Sequence, residues 1–160
     1  MDLHSTQLSA AKSLANTTRA HINRNGTGFD YSPNWYGSAL NDELIMFVSR
    51  RIDKGEPPFP IDYDEINFTF QKGLKVGTYQ LGEGRSEAVL RYRSTLHGIW
   101  PEELTASLGS ITITQFEVIN GYYTIVANFE FSGGFEDPNN DGGTVNIEVT
   151  QGTVTLSIAS

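Results

Sequence analysis

The sequence predicts an all-β protein: an antiparallel β-sandwich or barrel-like sandwich of about eight strands with an N-terminal helical lead-in. Three observations carry that expectation. Apolar and polar residues alternate over short runs through most of the chain, which is the period of a half-buried strand. Turn-forming residues are frequent, with Gly 16 and Pro 6 in 160 residues. Two dipeptides, Asn120-Gly121 and Gln151-Gly152, stand between alternating runs where a two-residue hairpin turn belongs.

Residues 1–28 are expected to form a helical or partly ordered N-terminal segment, and residues 29–160 a single antiparallel β domain. Leu3, Leu8, Ala11, Leu14, Ala15 and Ile22 follow a loose helical spacing, which Thr17-Thr18 weakens. Asn25-Gly26-Thr27-Gly28 then breaks the chain. From Phe29 onward the period is that of strands. Phe29 to Tyr31 and Asn34 to Tyr36 are short and aromatic. Leu44 to Val48 is apolar on both parities, so it should be a central strand covered on two faces. Ile66, Phe68 and Phe70 alternate with Asn67 and Thr69, and Val76 to Leu81 and Ala88 to Tyr92 supply two more strands. Glu56-Pro57-Pro58-Phe59-Pro60 is expected to be a stiff loop, because proline brings no N–H to a ladder. Gly82-Glu83-Gly84-Arg85 reads as a hairpin turn.

The last fifty residues can be tested by register. A turn at Asn120-Gly121 places Val118 opposite Tyr123 and Phe116 opposite Ile125. Beyond that, Ile113 and Ile111 fall opposite Asn128 and Glu130, so the apolar faces part company. One extra residue near Thr114-Gln115 restores them, which predicts a β-bulge there. A turn at Gln151-Gly152 places Val149, Ile147 and Val145 opposite Val154, Leu156 and Ile158, and the apolar sets agree throughout.

Composition excludes several classes of function. The net charge is −8, so the surface repels phosphate backbones and nucleic acid is not an expected partner. The basic pair Arg50-Arg51, with Arg91 and Arg93, reads as strand-surface charge. No cysteine is present, which removes disulfides, thiolate metal sites and cysteine nucleophiles. No apolar run approaches the roughly 20 residues of a membrane-spanning helix. Met1-Asp2-Leu3-His4 lacks the apolar core of a signal peptide, which is expected of a cytoplasmic protein or of one whose export segment precedes this sequence.

Asp137-Pro138-Asn139-Asn140-Asp141-Gly142 has the D-x-N-x-D-G form of a calcium loop, with Glu148 at the twelfth position. Flanking strands keep Glu148 too far along to close an EF-hand. The remaining candidate is a short loop site made by Asp137, Asn139 and Asp141, with calcium as the ion. A polar hairpin loop accounts for the same residues. Trp35, Tyr36 and Trp100, beside loops, are the candidate ligand-binding aromatics, since flat apolar rings hold sugars and peptides. Packing in the core is the competing role. Asp62-Tyr63-Asp64-Glu65 offers paired carboxylates of the kind glycoside hydrolysis uses, against the plainer reading of solvated charge. His4, His21 and His97 are scattered, and no serine stands in a nucleophile motif, so no catalytic residue is expected and the protein is read as a non-enzyme.

Several segments are similar to those of a group of small β-sandwich proteins of uncharacterised function, common as exported lipoproteins in Bacteroidetes. They are Gly77-Thr78-Tyr79-Gln80-Leu81-Gly82, Gly109 to Phe116, Ala127-Asn128-Phe129-Glu130-Phe131, Thr144 to Ile147 and Gln151 to Val154. The likeness covers roughly four fifths of the chain and rests on turn and core patterns. It implies a Gram-negative cell-envelope location and carries over no catalytic residue. The expected function is a non-enzymatic binding or accessory module of the bacterial cell envelope that recognises a protein or glycan. The alternative is a cytoplasmic acidic partner of immunity or inhibitor type.

Overall fold

The computed structural model describes residues 9–10, 16–56, 59–95, 102–136 and 143–160. These residues form twelve strands: β1 (Ser9–Ala10), β2 (Thr17–Arg24), β3 (Thr27–Tyr31), β4 (Trp35–Leu40), β5 (Leu44–Glu56), β6 (Phe59–Gln71), β7 (Gly77–Gln80), β8 (Ala88–Thr95), β9 (Glu102–Thr105), β10 (Leu108–Ile119), β11 (Tyr122–Glu136) and β12 (Thr144–Ala159). They make two antiparallel sheets. The first has the order β1-β4-β5-β6-β8-β9 and the second the order β3-β2-β12-β11-β10-β7. The two sheets share one apolar core, so the protein is a β-sandwich.

Strand parity explains most of this. Ile45 and Phe47 of β5, Ile66, Phe68 and Phe70 of β6, and Leu90 and Tyr92 of β8 are all buried on the inner face of the first sheet. Across the gap stand Ile111 and Ile113 of β10, Ile125, Ala127, Phe129 and Phe131 of β11, and the alternating set of β12. Phe68 meets Phe129 edge-to-face at 5.1 Å between centroids, and Phe70 meets Phe116 at 6.3 Å, which ties the sheets together. Each such buried side chain contributes about 2–3 kcal/mol by leaving water. β5 is central, as its two-sided apolar character predicts.

Two turn predictions and one bulge prediction come out differently. Asn120 (φ 50°) and Gly121 (φ 80°) form the expected tight turn, with Val118 opposite Tyr123 and Phe116 opposite Ile125. The bulge falls where parity demands, with Ile113 opposite Ala127 and Gln115 opposite Val126, so Thr114 is the extra residue. Its hydroxyl donates to the Val126 carbonyl at 3.2 Å. Gln151-Gly152, by contrast, is not a turn. β12 runs straight through it, and β11 pairs with both halves. The register shifts there against both β11 and β2, with Gln151 at φ 53°. A one-residue bulge moves the apolar phase by one residue, as a two-residue turn does, so the face-matching test could not separate them. Gly152 lies opposite Phe129, and a Cβ there would meet that ring at 2.5 Å. The glycine makes room for an aromatic ring.

The helical lead-in is corrected over its C-terminal part: Thr17–Arg24 is a strand between β3 and β12, no helix occurs among the described residues, and residues 1–8 and 11–15 lie outside them. Thr18, Ala20 and Ile22 are buried at alternate positions, so the period is two. Asn25 (φ 49°) and Gly26 (φ 89°) turn the chain tightly into β3. The expected stiff loop at 56–60 is narrower than thought. Gly55 pairs with Pro60 and Glu56 with Phe59, beside two register irregularities, while Pro57 and Pro58 lie outside the described residues. Gly82 to Arg85 is a turn, with the Arg85 N–H donating to the Gly82 carbonyl at 3.1 Å. It carries the chain from β7 in the second sheet to β8 in the first, so it joins no hairpin.

Candidate functional site

Of the sequence-predicted site residues, Trp35 and Tyr36 are among the described residues. Asp137, Asn139 and Asp141, and Trp100, lie outside the described residues. Glu148 is in the middle of β12, opposite Ser132 and Asn23, where it is a strand residue and no loop ligand. Among the described residues, no group of three or more His, Asp or Glu side chains is placed to hold a metal ion. Trp35 and Tyr36 are adjacent in β4 and point to opposite faces. The Tyr36 ring stacks on Phe47 at 5.8 Å inside the sandwich, and its hydroxyl accepts from the Thr18 N–H at 3.3 Å. Trp35 lies on the outer face, folded over Gly37. They cannot form one platform.

The acidic segment 62–65 departs from the reading of solvated charge. Asp64 faces inward and Glu65 outward, and both are buried. Asp64 accepts from Arg51 Nη2 at 2.7 Å and from the Tyr92 hydroxyl at 2.6 Å. Arg24 Nη2 of the second sheet approaches Glu102 Oε2 of the first at 2.6 Å. Burial, and then the Asp64 charge, push the Tyr92 phenol far above its ordinary value, and burial does the same to Tyr31. Tyr31 spends its hydroxyl on the Ser49 carbonyl at 2.8 Å. One end of the sandwich interior is therefore polar, with Arg51 ion-paired to Asp64 and Arg24 to Glu102.

The outer face of the first sheet carries a charged row across five strands. Trp35 is opposite Arg50, Arg50 opposite Glu65, Glu65 opposite Arg93, and Arg93 opposite Glu103. Directly opposed residues are close enough to pair. Arg50 Nε donates to Glu65 at 2.6 Å, and its guanidinium lies 4.7 Å from the Trp35 ring centroid and 5.1 Å from that of Tyr63. Arg93 Nε donates to Glu103 at 2.8 Å. Glu65 is only 4% exposed. Of the basic residues that sequence alone reads as free surface charge, Arg50, Arg51 and Arg93 are thus paired with carboxylates.

The outer face of the second sheet is different. Three adjoining depressions, of about 890, 220 and 500 Å³, open on it in a continuous trough. The first and second share Leu108, Ser132 and Glu148 as walls, and the second and third share Glu130. The trough follows the bulge at 150–152, and a bulge bends its strand and steepens its twist. At its wide end Asn23, Glu148 and Ser132 stand in one cross-strand row. Asn146 leans over Gly134, whose missing side chain leaves the space open. Further along, Thr153, Asn128 and Thr112 form a second row. Two asparagines at the wide end are fixed through their carbonyl oxygens. Asn23 Oδ1 accepts from the Gly26 N–H at 2.8 Å, and Asn25 Oδ1 from the Asn146 N–H at 2.7 Å. Their amide NH₂ groups remain as oriented donors. Sequence reasoning missed this face, because its residues are the polar halves of the alternations that define the core. The one signal in the sequence is that these halves are Asn, Ser, Thr and Glu with no Lys.

The fold and this face together define a class: an antiparallel β-sandwich with one interlocked outer face and one open, polar, hydrogen-bonding outer face. The chain matches the family described as a domain of unknown function (DUF6252) over residues 61–156, more than half its length, and it belongs to that family. No curated protein and no solved structure matches it. No helix among the described residues is long and apolar enough to cross a membrane.

Proposed function

We propose that the protein is a non-enzymatic binding module of the bacterial cell envelope, and that the trough on the second sheet is its binding face. The observation that carries this reading is the trough itself. It is a concave surface on regular strands, so its side chains are held in place before any ligand arrives, and ordering them costs little on binding. Its groups are amides, hydroxyls and carboxylates, which hold a ligand by hydrogen bonds. The likeness to exported envelope lipoproteins supports the location. The test is a photo-reactive residue placed at Ser132 and irradiated in envelope and cytosolic extracts of the source cells. The expected outcome is an adduct in the envelope extract that disappears when Asn146 and Glu148 are also replaced. Adducts confined to the cytosolic extract, or none at all, would count against the reading.

A further inference from the structure

We infer that the ligand of the trough is an uncharged, hydroxyl-rich glycan chain. This rests on the reading of the trough as the binding face and names what it takes.

Three features of the lining point the same way. First, its groups match a polyol. Each sugar hydroxyl both donates and accepts, and the wide end offers the NH₂ donors of Asn23 and Asn25 beside the acceptor carboxylate of Glu148 and the hydroxyl of Ser132. Second, the charge is wrong for an anion. Glu130 and Glu148 line the trough, and no Lys, Arg or His does so among the described residues. The nearest basic groups on β2 are engaged elsewhere: Arg19 Nη1 donates to the Thr18 carbonyl at 2.9 Å, and His21 Nδ1 lies 3.0 Å from Asp30. Phosphorylated or uronic polymers therefore meet two carboxylates in the lining itself, with Arg19 and His21 beside it on β2, opposite Thr153 and Thr150. Third, the surface lacks what a protein partner needs. Protein interfaces centre on buried aromatic, Met or Arg anchors. Phe129 and Phe131 turn inward here, and Leu108 at the rim is the one large apolar side chain that the described lining exposes. With no ring to stack on, the trough holds its ligand by hydrogen bonds, which a chain of repeating hydroxyls satisfies better than a protein knob does.

Affinity electrophoresis in gels containing a neutral glucan, mannan or xylan, polygalacturonate, or chitosan tests the inference. The proteins run are the wild type and the Asn146→Ala/Glu148→Gln double variant. Both substitutions lie on exposed strand positions, and a urea midpoint for each protein confirms an intact fold. Retardation in at least one neutral polysaccharide, weakened tenfold or more in the double variant, is the expected result. Retardation only by polygalacturonate or only by chitosan overturns the inference, as does neutral binding that the double variant leaves unchanged. The photo-reactive residue at Ser132 separates the two levels. A protein adduct without polysaccharide retardation overturns the glycan but keeps the trough as a binding face. No adduct and no retardation overturns both.

Discussion

The two outer faces of this sandwich are both polar and end in opposite states. On the first sheet, Arg50, Glu65, Arg93 and Glu103 stand directly opposite one another and pair across the strands, with Arg50 held between Trp35 and Tyr63. On the second sheet, Glu148 faces Ser132 and Asn23, and Glu130 faces Ser110. No cation stands opposite either carboxylate. A polar face whose groups satisfy each other is a structural element. A polar face that holds its groups in place and leaves carboxylates and amide NH₂ groups unengaged is available for a ligand. Composition and cross-strand register together make the difference: the first face has arginines directly opposite its carboxylates, and the second has none there.

Five substitutions or conditions break or sharpen that comparison. Phe68→Ala strikes the core beneath both faces, where Phe68 touches Phe47, Phe70 and Phe129. It should cost about 4 kcal/mol in a urea titration. Glu65→Ala attacks the interlocked face. It leaves a largely buried Arg50 without its carboxylate and should lower stability by about 3 kcal/mol. A loss under 1 kcal/mol would mean that the row is solvated like an ordinary surface pair. Gly152→Ala attacks the bulge under the trough. Its Cβ would press on the Phe129 ring at 2.5 Å, and the expected loss is about 2 kcal/mol, read from the urea midpoint.

Alkaline titration probes the buried end between the faces. Tyr31 and Tyr92 have folded pKa values raised by burial, above the unfolded value of about 10. Their contribution is therefore whole below pH 10 and is lost as pH rises beyond it, by about 1.4 kcal/mol per pH unit for each group. Replacing Tyr92 with Phe should flatten this fall, and urea midpoints between pH 8 and 11 measure it. Glu148→Gln should have the smallest effect on stability, within about 0.5 kcal/mol, since Glu148 is exposed and opposite no cation. A large stability loss there would show that the trough carboxylate is structural and erase the contrast with Glu65.

Much of the fold was legible before any coordinates. The apolar sets of β6, β10, β11 and β12, the Asn120-Gly121 turn and the bulge at Thr114 all follow from a two-residue period and the requirement that facing residues share a face. The candidate site was not legible. Its residues come from β2, far away in the chain, and from β10, β11 and β12, and each is ordinary in its own strand.

The sequence by itself therefore determined which residues face the core, because burial of apolar side chains acts through strand parity and parity can be read along a single strand. It also marked where that parity slips. Only the tertiary structure decided what each slip means. At Asn120-Gly121 it is a turn, and at Gln151-Gly152 a bulge, because β11 extends far enough to pair with both halves of β12. It likewise decided which charges are paired within the protein and which are left open. Those partners come from neighbouring strands, and no single strand records what lies beside it.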